Sequence, residues 1–133
     1  RKNIFKEAIS KGKKPITLVH PSSIISENAS LGEGIFIGPR AIINFDASIG
    51  SGSIINSGSL VEHDCEIGEF SHICPSASLA GNVKVGFLSF IGIGSSVKND
   101  VSVGNEVTVG AGSIVVENLQ DNNTYYGNPA RKK

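Results

Sequence analysis

The sequence predicts one all-β domain, a parallel β-helix built from six-residue repeats, and two observations carry that prediction. Every sixth residue from Val19 to Val115 gives seventeen positions, and all seventeen are Ile, Leu or Val. Only 34 of the 133 residues are of these types, so chance would fill about four of the seventeen. Four places after each aliphatic the residue is mostly small, as at Ser23, Ala29, Ala41, Ser59, Ser71 and Ala77. An unbroken period of six fits short strands joined by tight corners, with the aliphatic filling a narrow interior and the small residue sitting where walls meet. An amphipathic helix is excluded, because six is not a multiple of 3.6 and glycine follows the aliphatic in eight of the seventeen repeats.

The elements follow in order. Residues 1–11, RKNIFKEAISK, predict a helix with Ile4, Phe5, Ala8 and Ile9 on one side and Gly12 closing it. Pro15 and Pro21 punctuate the entry into the repeats, which occupy residues 16–120. Beyond Leu119, QDNNTYYGNPARKK reads as a polar turn and a C-terminal tail over 121–133. A helix below and a tail above would cover the strand edges that stacked coils leave open.

Composition narrows the function classes. The formal charge is zero but unevenly spread: residues 1–15 carry six Lys or Arg against one Glu, and residues 16–120 carry three against ten acids. An acidic body argues against nucleic acid as the main partner. No run of about 18 apolar residues exists for membrane insertion and no signal peptide opens the chain. Cys65 and Cys74 are too few for a disulfide framework, which predicts free thiols in a reducing cytoplasm.

Three repeats per coil is a further step. The chain resembles the left-handed hexapeptide-repeat proteins, and that resemblance implies eighteen residues per coil, a triangular prism of five to six coils and a left-handed course, against the usual right-handed rule. The residues just before the core aliphatics then stack into outward columns. One wall carries Ile24, Ile42, Leu60, Ser78, Ser96 and Ile114; another carries Phe36, Ile54, His72, Phe90 and Thr108. The remaining wall is polar, with Ser30, Ser48, Glu66, Lys84, Ser102 and Gln120. A monomer has no use for two apolar outer columns, whereas a threefold assembly covers them, so a homotrimer is predicted.

The segment VEHDCEIGEFSH, residues 61–72, holds two of the three histidines and four of the twelve carboxylates. His72 falls in an apolar column between Ile54 and Phe90. His63 falls in a corner column reading Glu27, Phe45, His63, Gly81, Asn99 and Glu117. The residue above the imidazole therefore has no side chain, which predicts a hole beside the ring with a bare backbone N–H at its lip. Beyond Asn56 the chain shows Gly92 with Gly94 and, one coil up, Gly110 with Gly112, a groove suited to a long thin ligand. An imidazole titrating near 6.5 suits removal of a proton from an attacking amine, and neighbouring carboxylates raise its pKa. A three-histidine zinc site would need a close pair that the chain lacks, so no metal is expected.

The segments IINSGSLVEHDCEIGEFSHI (54–73) and LAGNVKVG (79–86) resemble the hexapeptide-repeat acetyltransferases of bacterial sugars, in the branch of sialic acid O-acetyltransferases and UDP-4-amino-sugar N-acetyltransferases. The resemblance runs from LVHPSSIIS (18–26) to GNPAR (127–131). It implies an acyltransferase with acetyl-CoA as co-substrate, passing acetyl directly to the 4-amino group of a UDP-linked amino-deoxy sugar in surface-glycan synthesis. It implies that His63 is the general base and that Asp64 stands where relatives carry an acid, usually Glu, that makes the histidine more basic. By the same resemblance His72 contacts the coenzyme near the acetyl group, Gly81 donates to the thioester oxygen, and Asn56 lines the substrate pocket. Ile93 and Ala111 touch the coenzyme arm, and Arg131 of GNPAR meets its phosphates. The family further implies a nucleotide-sugar-binding domain ahead of residues 1–15, which read as its last helix and linker. O-acetylation of a sialic acid is the alternative within the class; a non-catalytic trimeric scaffold is the alternative outside it.

Overall fold

The structure, a computed structural model, describes residues 1–133. A helix α1 (Lys2–Ser10) precedes seventeen two-residue strands at strict six-residue spacing, from β1 (Leu18–Val19) to β17 (Ile114–Val115). Two longer strands, β18 (Thr124–Gly127) and β19 (Ala130–Lys132), end the chain. No helix is long and apolar enough to cross a membrane.

Strands three apart pair in parallel with a shift of eighteen residues, which makes three walls. On the first wall His72 lies between Ile54 and Phe90; on the second Ser78 lies above Leu60; on the third Lys84 lies above Glu66. In most strands the second residue points inward, so Ile37, Ile43, Ile55, Ile73, Leu79 and Ile91 form one fully buried column system. Burying each such side chain contributes about 1.5–3 kcal/mol. Between strands the chain turns sharply by placing one residue in the left-handed region, at φ 56° for Arg40, 59° for Asp64 and 57° for Phe70.

The small residue after that turn is buried, and where it is serine its hydroxyl joins coils. Ser71 Oγ donates to the Gly86 carbonyl at 2.7 Å and accepts from the Ser89 N–H at 3.1 Å. Ser89 Oγ repeats the pattern, donating to the Gly104 carbonyl at 2.7 Å and accepting from Val107 N–H at 3.0 Å. Ser89→Ala would strip both groups of that partner in a water-free interior. It is expected to cost about 1–3 kcal/mol, read as a lower urea midpoint with an unchanged slope.

Two expectations are corrected, and one is met. The last coil is shortened: Leu119, sixteen residues on rather than eighteen, bridges to Val103, and Asn118 rather than Gln120 caps Ser102 N–H at 2.8 Å. The full period would put Asp121 into the apolar core, and the shorter corner puts Leu119 there instead. The C-terminal tail does close the top of the first wall, as expected. β18 adds to the first wall with Thr108 beside Thr124, β19 folds back antiparallel on it, and Tyr125 and Ala130 are buried. The helix, finally, does not lie under the bottom coil. It runs beside the corner that follows the third wall, where Phe5 meets Phe70 edge-on at 5.1 Å and Lys2 sits 5.6 Å over Phe87. Arg1 donates to the Phe70 and Ser71 carbonyls. The left-handed backbone of Phe70 carries its ring over Gly52, where any Cβ would lie within 2.4 Å of it, and so presents a partner to the helix. Val19 and Leu31 of the bottom coil remain 47% and 37% exposed.

Candidate active site

The corner between the second and third walls follows β8 (Leu60–Val61) and carries Glu62, His63 and Asp64. The left-handed turn at Asp64 swings its carboxylate beside the ring, with Oδ2 2.8 Å from His63 Nδ1. Asp, one methylene shorter than Glu, therefore reaches. Nδ1–H donates to the carboxylate and Nε2 keeps the lone pair. Glu62 Oε2 accepts from the His63 backbone N–H at 3.3 Å and from Asn44 Nδ2 at 2.9 Å. The hydrogen bond to Asp64 raises the His63 pKa above its ordinary value, partly offset by desolvation and reinforced by the charges of Asp64 and Glu62.

Gly81 stands one coil above. A Cβ there would fall 2.5 Å from His63 Cε1 and 2.6 Å from Nε2. The predicted hole is thus filled by the imidazole itself, which lies against the glycine because nothing else occupies that space. The Gly81 carbonyl accepts from Asp100 N–H at 3.1 Å, while its own N–H donates to no group of the chain. At the matching place the donor is taken in some corners, as for Ser57 by Asn56 Oδ1 at 2.8 Å and Phe87 by Asn105 Oδ1 at 3.1 Å, and free in others, as for Phe45 and Asn99 of the same column.

Asn56 follows β7 (Ile54–Ile55), and His72 opens β10 (His72–Ile73), the next strand up on the first wall. Because Asn56 Oδ1 accepts from Ser57 N–H, its Nδ2 faces the histidine and donates to Nε2 at 3.0 Å. The ring proton is thereby assigned to Nδ1. Phe90 meets the ring edge-on at 5.3 Å. Burial, helped by the positive charge of Arg1, lowers the His72 pKa, so the ring is neutral near pH 7 and offers one N–H donor. The bond between Asn56 and His72 escaped the sequence reading. It joins residues sixteen apart, and columns of eighteen do not compare them.

The structure does not bring His63 and His72 together within one chain. His63 occupies the corner between the second and third walls, and His72 lies on the first wall, the side of the triangle facing that corner. Asn56 begins the corner between the first and second walls, and Ile93 and Ala111 stand above it, both exposed. Beside them Gly94 and Gly112 have φ of 64° and 65°, and a Cβ on either would meet nothing within 4 Å. The Gly94 and Gly112 side of this corner is therefore open to solvent, whereas Gly92 and Gly110 are closed by their neighbours, an added Cβ falling 2.6 Å from Val109 O and 2.8 Å from Tyr126 Cβ. Arg131, on β19, pairs with Glu117 at the top of the His63 corner column rather than projecting free. Cys65 is fully buried, its thiol 3.2 Å from the Ala80 carbonyl and pushed up to about 11 by burial, which removes it as a nucleophile. No group of three His, Cys, Asp or Glu side chains is placed to hold a metal ion.

No protein-family model matches the sequence, and no curated protein matches it. Solved structures do. The X-ray structure of PerB, the perosamine N-acetyltransferase of Caulobacter crescentus, in complex with CoA and GDP-perosamine is 38% identical over 99% of this chain and 64% of that one, with a TM-score of 0.98. The acetyltransferase domain of PglB from Neisseria gonorrhoeae is 35% identical over 100% of this chain and 65% of that one, with a TM-score of 0.99. These structural neighbours are hexapeptide-repeat β-helix acetyltransferases. This chain shares their fold, a left-handed β-helix of about six coils. WeeI from Acinetobacter baumannii, 26% identical over 100% of this chain and 65% of that one, shares the fold at a TM-score of 0.96. This chain spans less than two thirds of each of these relatives, at 64% to 65%.

Proposed function

We propose that this chain is the coenzyme-binding and base-bearing part of a sugar N-acetyltransferase, which moves acetyl from acetyl-CoA to the 4-amino group of a nucleotide-linked amino-deoxy sugar in bacterial surface-glycan synthesis. The observation that carries this reading is the His63–Asp64 pair: a histidine with Nδ1 held by a carboxylate at 2.8 Å and Nε2 left as acceptor beside a glycine whose N–H is free. PerB, with GDP-perosamine and CoA bound, supports the substrate class; two variants of one of its histidines have been solved with the same ligands. The PglB domain, solved with acetyl coenzyme A, supports the co-substrate. The sequence reading favours a UDP-linked sugar, and GDP-perosamine in PerB makes the nucleotide a question for the assay. A nucleotide-sugar domain ahead of residues 1–15 belongs to the same proposal.

The open side of the Asn56 corner fits a coenzyme arm, because Gly94 and Gly112 leave backbone open to a ligand beside Ile93 and Ala111. Acetyl-CoA supplies an electrophilic thioester. His63 Nε2 accepts the proton that the amine loses on attack, and Asp64 holds the ring in the tautomer this requires. The Gly81 N–H and the His72 Nδ1–H are donors for negative charge developing on the acyl oxygen, each such donor contributing about 3 kcal/mol when placed in advance. These groups lie on opposite sides of one prism, so a complete site needs two subunits. The proposed homotrimer supplies that pairing, with Phe36, Ile54 and Phe90 of one outer wall and Ile42, Leu60 and Ile114 of another as contact surface. Arg131 enters the proposal as a ligand for the coenzyme phosphates once released from Glu117.

The test follows CoA thiol release with a nucleotide 4-amino sugar and, separately, a sialic acid. Turnover with the amino sugar is expected. Turnover with the sialic acid alone would replace N- by O-acetylation, and no acetyl-CoA binding at all would leave the scaffold reading. Asp64→Asn gives a pH test. The base works unprotonated, so activity falls as pH drops through the His63 pKa, which the Asp64 hydrogen bond raises. Losing the carboxylate lowers that pKa, so the acidic limb of kcat/KM should move to lower pH while the plateau falls about tenfold to hundredfold. An unmoved limb would remove Asp64 from the mechanism.

A further inference from the structure

Arg40 is one of three cations among residues 16–120, and the other two have carboxylate neighbours. Lys84 pairs with Glu66 at 2.8 Å, and the charge of Lys98 acts on Asp100. The Arg40 side chain is exposed, forms no ion pair and makes no hydrogen bond; only its backbone N–H is engaged, with Ser22 Oγ at 3.1 Å. Its φ of 56° lies in the left-handed region, which is uncommon for a long side chain. Above it in the same corner the chain places Gly58, Ser76, Gly94 and Gly112. Arg40 lines a cleft of about 310 Å³ together with Pro39, Ser57, Gly58 and Ser76. That volume is at the small end for ligand pockets, fit for a head-group rather than a whole nucleotide.

We infer that this cleft is a phosphoryl-group subsite. The guanidinium fork matches two phosphoryl oxygens, and the Ser76 hydroxyl, which makes no hydrogen bond within the chain, adds a neutral donor, whereas Ser57 Oγ already donates to Asn56 Oδ1 at 3.4 Å. In an otherwise acidic body an unpaired arginine is the local attractor for an anion. Two substrates carry phosphoryl groups, the nucleotide sugar and coenzyme A. The position favours the first: Ser57 and Gly58 of the lining directly follow Asn56, the residue proposed to line the substrate pocket, while Ser76 lies one coil below Gly94. The choice of ligand rests on the acetyltransferase reading; the anion subsite does not.

The experiment compares Arg40→Ala and Arg40→Gln with the parent protein. KM for the nucleotide amino sugar is expected to rise about tenfold, the value of one charge-assisted hydrogen bond, with kcat and the KM for acetyl-CoA unchanged. A free amino sugar without the nucleotide diphosphate should be used equally by variant and parent. A rise confined to acetyl-CoA that vanishes with acetyl-pantetheine would support the subsite and assign it to the coenzyme. Unchanged KM for both substrates overturns it. Independently, inorganic pyrophosphate should shift the Arg40 Nε–H resonance in a titration that needs no turnover. If pyrophosphate shifts that resonance in a protein that acetylates nothing, only the proposed function falls. If acetyl transfer proceeds and Arg40 neither shifts nor alters KM, only the subsite falls.

Discussion

His63→Ala should reduce turnover by about two to four orders of magnitude, the range over which a positioned base acts. The fold should not notice. The imidazole is 59% exposed and packs on a glycine, so truncation opens no interior cavity. Thermal unfolding and acetyl-CoA affinity are therefore expected to stay near those of the parent, which separates a lost base from a lost structure. A well-folded variant that turns over at the parental rate would end the assignment of His63 as base.

Gly81→Ala should approach that loss by a different route, with kcat down about a hundredfold. Gly81 is not among the residues with positive φ, so alanine suits its backbone and the N–H remains. The added methyl, however, would lie 2.5 Å from the imidazole, and exposed ring atoms move more readily than stacked backbone. The ring must swing off, and the 2.8 Å bond to Asp64 goes with it. Because both substitutions act through one imidazole, adding Gly81→Ala to His63→Ala should cost little more. Additive losses would show that Gly81 acts independently of the histidine.

Much of this was legible in the sequence for a physical reason. A prism has a narrow interior that only Ile, Leu or Val fills at each strand, so a period of six repeats all the way from Val19 to Val115 and fixes which residues stack. The placement of His72 under Phe90 and of His63 under Gly81 follows from that register. What escaped depends on breaks in the period or on side-chain reach. The two-residue contraction at Leu119 is invisible to a fixed repeat. The position of α1 depends on Phe5 finding Phe70, a contact between two apolar rings that no spacing encodes. The arms of Asn56 and Asp64 run diagonally or sideways, so columns name these residues without showing whom they hold. Arg40 carried no motif at all and stands out only once its neighbours and its missing partners are known.

The turned-back strand at the top of the prism has a consequence beyond closing it. A pile of near-identical parallel coils is a template for its own extension, and two such prisms meeting end to end could continue one another as a fibre does. β19 runs the wrong way for that on the first wall: it is antiparallel to β18, and Lys132 and Lys133 add positive charge to that edge. On this wall the next molecule therefore finds a reversed and charged terminus where it would need an eighth parallel strand, and the repeat that makes the fold so regular is interrupted there.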